Sequence, residues 1–332
     1  MPLQETTVLS KDSVLAERFE FVRTLGEGSA GAVFLVKDRS RGQEELALKL
    51  LTNPSAFDEL TTERFRQEVA ILQKLRHPNL IEAYDLIEFR GVFGYTMELV
   101  LGRDLGKIFV ERRFDLQEIE EIISQVLSAL QALHNHGIIH RDIKLENIMR
   151  RTDGIIKLTD LGLMKNVSQA KATQTGVLLG TAQYLPPEYV RSSQFDNRGD
   201  LYAVGIMMFE LLSAKRRFAG RVGMQVLEEL LQTDFALPMT LLHGIPEKFC
   251  RIIRKATLLD PKARYQTAEE MLNDFRAPVP SVTAPPQTIE PHIRMHNFGE
   301  QPKKRSAALP SWFWWGSGLL AIILLLGIYF RA

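Results

Sequence analysis

One cysteine, Cys250, stands in 332 residues, so no intramolecular disulfide can hold this chain together. Phe249, Ile252, Ile253 and Ala256 recur around it at helical spacing, and Cys250 reads as a buried structural thiol rather than a nucleophile. Charge of one sign is also lacking. Forty-one basic against forty acidic side chains give a net charge of +1, which excludes a global field for nucleic acid and makes any phosphate affinity local. The first twenty residues carry charges throughout and have no apolar core of signal-peptide length, which places the bulk of the chain in a reducing compartment. What is abundant is apolar side chain, 45% of the total, enough to bury a large core.

The chemistry concentrates in His140-Arg141-Asp142-Ile143-Lys144-Leu145-Glu146-Asn147, between an apolar helical segment ending at Leu133 and a β-like run from Ile155 to Leu158. A hydroxyl attacking a phosphoryl group needs an acceptor for its proton, which Asp142 can supply, and a cation for the charge that builds up, which Lys144 can supply. Asn147 offers a neutral oxygen to a hard metal ion. Mg²⁺ in such sites takes one or two carboxylates plus substrate phosphates, and Asp160, in Thr159-Asp160-Leu161-Gly162, stands where a second ligand belongs. Either motif alone usually means a solvated turn; their pairing at this spacing is harder to dismiss.

Upstream, Phe21 to Leu25 and Phe34 to Val36 read as strands around Gly26-Glu27-Gly28-Ser29-Ala30-Gly31-Ala32-Val33, a hairpin tip able to lie over phosphates with its N–H groups exposed. A dinucleotide-binding fold would require a helix straight after the third glycine, where this chain has a strand. Leu46 to Leu51 is a buried strand interrupted by Lys49, whose ammonium needs an anionic partner. Glu68, beside the apolar face (Phe65, Val69, Leu72, Leu75) of a helix from Glu63 to Leu75, is the expected one. Strands over 80–89 and 92–99 follow, then helices over 104–110 and 116–133. Thr152-Asp153-Gly154 makes a hairpin turn that would bring Asn147 and Asp160 to equivalent strand ends. Residues 161–179 form a polar loop, Asp200 is expected to open a very apolar helix to Leu212, and Thr267 caps a last one.

Taken together, residues 21–276 resemble the Hanks-type (eukaryotic-like) serine/threonine protein kinases, collinearly over the whole stretch, and in particular the membrane-anchored bacterial members. The resemblance implies an α+β bilobal fold, with a β-rich N-lobe over about 21–99 and a helical C-lobe over about 103–276. It implies ATP and Mg²⁺, with Mn²⁺ as a substitute. Gly26, Gly28 and Gly31, with Glu27, Ser29 and Ala30, match the nucleotide-covering loop; Lys49 matches the lysine on the α- and β-phosphates and Glu68 its ion-pair partner. Val33, Ala47, Met97, Glu98 and Val100 would surround the adenine, and Asp104 would face the ribose. Asp142 matches the catalytic base, Lys144 the γ-phosphate contact, and Asn147 and Asp160 the metal ligands. Asp200 would brace the catalytic loop, Glu188 and Arg264 would form a structural ion pair, and Thr181 would bond to Asp142. Two departures, Leu161 in place of Phe and Pro186-Pro187-Glu188 in place of Ala-Pro-Glu, remove no catalytic group.

Arg141 matches an arginine that pairs with a phosphate on the loop between Asp160 and Glu188, so autophosphorylation is expected at Thr173 or Thr175, with Ser168 behind them. After a 1–20 extension and the kinase domain, seven of the fifteen prolines fall between 277 and 311, an extended linker. Residues 312–330 are uncharged and about 28 Å long as a helix, long enough to cross a hydrocarbon core. Lys303, Lys304 and Arg305 precede that span and only Arg331 follows it, which places the kinase domain on the cytoplasmic side. Protein substrates, the membrane and a transient homodimer for trans autophosphorylation are the expected partners, with no nucleic acid. The competing readings are a nucleotide-binding pseudokinase acting as a scaffold and a small-molecule phosphotransferase of related fold.

Overall fold

In the computed structural model the described residues are 14–28, 31–51, 59–89, 92–161, 182–221 and 223–277. The chain divides into two units, 1–279 and 280–332, the second outside the described residues. Residues 312–330 lie outside the described residues, and among the described residues no helix is long and apolar enough to cross a membrane.

The N-lobe is a five-stranded antiparallel sheet in the order β1-β2-β3-β5-β4, built from β1 (Phe19–Gly28), β2 (Gly31–Asp38), β3 (Glu44–Leu50), β4 (Ala83–Phe89) and β5 (Val92–Glu98). Side chains on a strand alternate between faces. Leu46, Leu48 and Leu50 of β3 therefore join Phe34, Val36 and Ile87 in one apolar cluster, while Ala47 joins Tyr95 and Met97 of β5 in the main core. Lys49 shares the face of Ala47, and it lies opposite Tyr95 in the β3/β5 ladder. Gly31 is required where β2 turns under β3: its φ is +149°, and a Cβ there would lie 2.1 Å from the Leu50 carbonyl oxygen.

Two boundaries differ from the sequence expectation. A short helix, α1 (Val14–Arg18), precedes β1, and β1 begins at Phe19 rather than Phe21, so part of the expected 1–20 extension belongs to the fold. Leu15 and Phe19 are buried in the outer cluster of the sheet, and Arg18 reaches Asp38, a carboxylate with no exposure at all. Helix α2 (Glu59–Lys74) starts four residues earlier than expected and packs Phe65, Val69 and Leu72 against the sheet.

The C-lobe hangs on α4 (Leu116–Asn135), whose Ile119, Ile122, Ile123, Val126, Leu127, Leu130 and Leu133 are all buried along one stripe. Its start is fixed by a reciprocal capping box between Asp115 and Glu118. Around it lie α3 (Leu105–Glu111), a three-stranded sheet β6 (Gly102–Asp104), β7 (Ile148–Arg151), β8 (Ile156–Leu158), and helices α5 (Pro187–Ser192), α6 (Asn197–Ser213), α7 (Met224–Gln232), α8 (Glu247–Ala256) and α9 (Ala268–Arg276). Helix α6 is buried on all sides, which its unbroken apolar run requires. The N-cap of α6 is Asp196, not Asp200 as expected; Asp196 accepts the Arg198 N–H, which leaves Asp200 inside the first turn with its carboxylate committed elsewhere. Thr267 caps α9 as expected, accepting the Glu270 N–H at 3.0 Å, and Cys250 is buried, with burial pushing its thiol pKa up.

Candidate active site

The segment between α4 and β7 is held as a rigid loop by a single buried carboxylate. Asp200 accepts backbone N–H groups from both His140 (2.9 Å) and Arg141 (2.8 Å), and its Oδ2 lies 2.9 Å from Nε2 of His134. His140 is fully buried: its Nδ1 accepts the Asp142 N–H at 3.2 Å, so the ring proton sits on Nε2, which donates to the Thr159 carbonyl at 3.0 Å. Arg141 takes up a left-handed conformation, φ 62°, and so does Asp160, φ 55°. Both are strained for non-glycine residues, and both flank the chemistry.

Within that frame the polar side chains converge. Asn147 donates from Nδ2 to the Asp142 carbonyl (2.8 Å) and to its carboxylate (2.9 Å), while Lys144 donates to the same carboxylate at 3.2 Å. The β7/β8 hairpin delivers the other half: Ile148 pairs with Leu158, and the Thr159 N–H donates to the Asn147 carbonyl at 2.9 Å, so Asn147 and Asp160 leave adjoining strand ends as expected. From the N-lobe, Lys49 donates to Asp160 Oδ1 at 2.7 Å across 111 positions of sequence. Burial acts against the Lys49 ammonium, but Tyr95, Asp160 and Asp142 more than offset it and hold its pKa above the usual lysine range. Residues 49, 142 and 160 thus share one site.

The pairing of Lys49 with Glu68 is not found. The carboxylate on Lys49 is that of Asp160, whereas Glu68, half-buried on α2, acts electrostatically on Arg141. Lys49 extends toward the end of β8, where the Asp160 carboxylate accepts its N–H at 2.7 Å. Arg141 itself is largely buried, and burial lowers its pKa, opposed by Glu68 and Asp200. Its Nε is buried with no hydrogen bond among the described residues.

The remaining expected residues fall as follows. Met97 (5% exposed) lies opposite Ala47 in the ladder and Glu98 opposite Leu46. Val33 and Val100 are partly buried against the main core. Asp104 is the N-cap of α3, accepting the Lys107 N–H at 2.8 Å, and it borders a cavity of about 570 Å³ with Glu146 and Arg216. Gly26, Glu27 and Gly28 lie at the end of β1, paired with Val33, Ala32 and Gly31. Arg264 meets Glu188 through two parallel bonds of 2.8 and 2.7 Å. Ser29, Ala30, Ser168, Thr173, Thr175 and Thr181 lie outside the described residues.

Three groups escaped the sequence reading. Tyr184, Glu210 and Arg216 form a buried knot that Arg216 extends to Glu146 on the catalytic loop at 2.6 Å, and its signal was an acid in the middle of an apolar helix. Lys157 and Glu98 pair at 2.7 Å where the lobes meet. Tyr95 carries a buried hydroxyl without a hydrogen bond among the described residues.

Asp160 and Asn147 are hard oxygen donors. Asn147 spends its amide N–H groups on Asp142, which leaves the carboxamide oxygen to face a cation. No group of three His, Cys, Asp or Glu among the described residues could hold a metal by protein ligands alone. Two hard oxygen donors suit an ion that also takes phosphate oxygens, as Mg²⁺ does.

A model of the protein kinase domain matches residues 19–275, more than three quarters of the chain. The chain belongs to the protein kinase family. Among kinase relatives, the Mycobacterium tuberculosis serine/threonine-protein kinase PknL is 33% identical over 291 residues, covering 82% of this chain and 72% of that protein. The Bacillus subtilis serine/threonine-protein kinase PrkC is 34% identical over 263 residues, covering 79% of this chain and 40% of that protein. A Lactococcus lactis relative, 33% identical, is likewise covered over 42% of its length, so the chain spans well under half of these two. In fold, the crystal structure of the Mycobacterium tuberculosis PknI kinase domain superposes with a TM-score of 0.62 over 77% of this chain and 94% of that one, at 23% identity. The bilobal kinase fold is thereby shared.

Proposed function

We propose that this protein is a serine/threonine protein kinase that transfers the γ-phosphate of ATP to protein hydroxyls. The observation that carries the reading is the meeting of Lys49, Asp142, Asn147 and Asp160 in one site from three separate segments. Asp142 Oδ2, held by Asn147 and Lys144, is the acceptor for the proton of the incoming hydroxyl. Lys144 neutralises charge on the transferred group, and Lys49 binds the α- and β-phosphates once released from Asp160. Asn147 and Asp160 would hold Mg²⁺, which supplies charge neutralisation on the phosphates when bound. Thr181 orients Asp142, and Ala47, Val33, Met97, Glu98 and Val100 enclose the adenine.

The loop between Asp160 and Glu188 is the site of regulation in this reading: phosphorylation at Thr173 or Thr175 adds charge that the buried Arg141 can pair with. Residues 312–330 anchor the chain in a membrane with the kinase domain on the cytoplasmic side, which concentrates copies for trans phosphorylation. The coverage by PknL, itself named a serine/threonine-protein kinase, supports the choice of Ser and Thr over Tyr.

The test uses the full chain in mild detergent with labelled ATP, Mg²⁺ and a generic protein substrate, beside an Asp142→Asn variant. Transfer to Ser and Thr by the wild type and at least a hundred-fold less by the variant is expected. Nucleotide binding without transfer in both would establish the scaffold reading instead, and label on a small molecule would establish the third. Phosphosite mapping of the same two proteins locates the self-modified residue; identical phosphorylation in both would exclude autophosphorylation.

A further inference from the structure

The knot of Tyr184, Glu210 and Arg216 lies outside the proposed chemistry, yet one end of it rests on the catalytic loop. Arg216, in the segment after α6, donates from Nη1 to the Tyr184 hydroxyl at 2.9 Å and to Glu210 Oε2 at 3.2 Å. From Nη2 it donates to Glu146 Oε1 at 2.6 Å, and its guanidinium carbon stands 5.0 Å from the centre of the Phe109 ring on α3. Two carboxylates and an aromatic face are the surroundings in which a binding site holds the guanidinium of a ligand. Here the chain supplies the guanidinium itself. Glu210 has no exposure, and burial pushes its carboxyl pKa up, opposed by the Tyr184 hydroxyl, Arg216 and the Arg217 N–H. Glu146, by contrast, is 46% exposed and open to a second molecule.

The position matters because Glu146 adjoins Asn147, whose Nδ2 lies 2.9 Å from the Asp142 carboxylate. At about 3.3–3.6 Å per extended residue, a polypeptide that brings a hydroxyl to Asp142 passes Glu146 within a few residues of that hydroxyl. Glu146 and Arg216 also border the cavity of about 570 Å³ beside α3, and the other charges on its rim are paired, Lys107 with Asp104 at 3.0 Å and Arg103 with Glu111. Without Arg216 the cavity would present an unpaired carboxylate at its rim, with the carboxylate of Glu210 behind it.

We propose that Arg216 fills, from within the chain, an acidic subsite that would otherwise take a basic side chain of the protein substrate, so that the enzyme does not select arginine or lysine there. An arginine tethered in place outcompetes one offered by a peptide, because its local concentration is far higher. Arg216 is thus a specificity-determining residue that acts by exclusion. The inference rests on the kinase reading and specifies which substrates that site turns away.

The test uses the full chain in mild detergent and serine peptides carrying arginine or alanine at each of four positions on either side of the serine. Transfer is followed as kcat and KM, and peptide binding by fluorescence anisotropy in the presence of ADP and Mg²⁺. Wild type is expected to treat the two series alike within about three-fold, whereas Arg216→Met should favour arginine at one or two positions by about ten-fold or more, through KM. Adding Glu146→Gln to Arg216→Met should abolish that preference. Arg216→Lys keeps a charge beside Glu210 but cannot span both carboxylates, so it should shift the same way by less and guards against a first variant that does not fold. Wild-type preferences in the folded variants overturn the proposal. So does a wild type that already favours arginine through Glu146, or an equal loss for all peptides with a lower melting temperature, which would mark a purely structural knot. Failure of the wild type to transfer phosphate would overturn the kinase reading and leave the anisotropy comparison to decide the role of Arg216.

Discussion

Lys157 and Glu98 meet in a 2.7 Å ion pair that is 7% and 18% exposed, at the junction of β8 with the strand leading out of the N-lobe. Lys157 also donates to the Leu80 carbonyl at 3.2 Å, and Glu98 Oε1 accepts the Glu82 N–H at 2.9 Å. One side-chain pair thus joins the segment before β4, the lobe connector and the strand that ends two residues before Asp160. Removing one partner of such a pair strands the other charge in a poorly solvated place. Lys157→Met is expected to lower unfolding free energy by about 2 kcal/mol, somewhat under the fully buried range because Glu98 keeps some water. Adding Glu98→Gln should recover part of that, a non-additivity of about 1 kcal/mol in urea unfolding; strict additivity would mean the pair contributes nothing.

Asp200 offers a cleaner test of the catalytic loop, because its two oxygens accept from His140, Arg141 and His134 at once. Asp200→Asn replaces one acceptor by an N–H₂ facing a backbone N–H. The loop that carries Asp142 then loses its brace while the N-lobe face of Ala47 and Met97 is untouched. Phosphotransfer turnover is expected to drop about a hundred-fold or more with the KM for ATP changed less than about three-fold. A matched change in both would place Asp200 in global stability instead.

The candidate site residues are legible because they come in short runs with their spacing intact: His140 to Asn147 and Thr159 to Gly162 are each read from a few adjacent letters. The strand alternation that puts Lys49 on the face of Ala47 was likewise local. Pairings over long separation are legible where the family resemblance supplies them, as for Glu188 with Arg264 and Asp200 with the loop at His140, and less so elsewhere. The helix face of Glu68 points to it as the partner of Lys49, yet Asp160, 111 residues downstream, holds the ammonium. The helix expected to open at Asp200 is capped four residues earlier by Asp196, while the brace that the family resemblance assigns to Asp200 is found in its bonds to His140 and Arg141. Tyr95 gives no signal in the sequence, because an aromatic in a β-strand is the expected filler and only the fold shows its hydroxyl unmatched among the described residues.

The fold also extends further toward the N-terminus than the strand pattern shows, and Arg18 measures how much that matters. Its guanidinium binds the buried Asp38 carboxylate at 2.6 Å and the Asp85 carboxylate beside it. Burial acts to raise the Asp38 pKa, but Arg18 and Ser40 outweigh it and hold the carboxyl below its usual range. Arg18→Ala leaves that charge with Ser40 and a distant Arg41, and about 2 kcal/mol of stability is expected to go with it. Arg18→Lys, which keeps the charge but cannot form the fork, should recover less than half. Thermal melts that match wild type for Arg18→Ala would return residues 14–18 to the status of an appendage.

Glu118 ties the start of α4 to its surroundings and makes a prediction in pH. Its carboxylate accepts from Arg112 at 2.7 Å, from Arg150 at 2.7 Å and from the Asp115 N–H at 3.3 Å, and these bonds hold its pKa down to about 2 against the opposing effect of burial. A folded-state pKa below the unfolded one stabilises at pH values above the unfolded value, near 4.5, and that stabilisation disappears as pH falls through about 2. Glu118→Gln keeps the shape and removes the charge. Being 20% exposed and near solvent, the side chain should contribute about 1 kcal/mol rather than the full electrostatic shift. The expected result in urea unfolding is a constant gap between wild type and variant from pH 8 to about 5, shrinking to roughly half or less by pH 3. A gap that stays level down to pH 3 would mean that the capping box works through shape and not through the charge on Glu118.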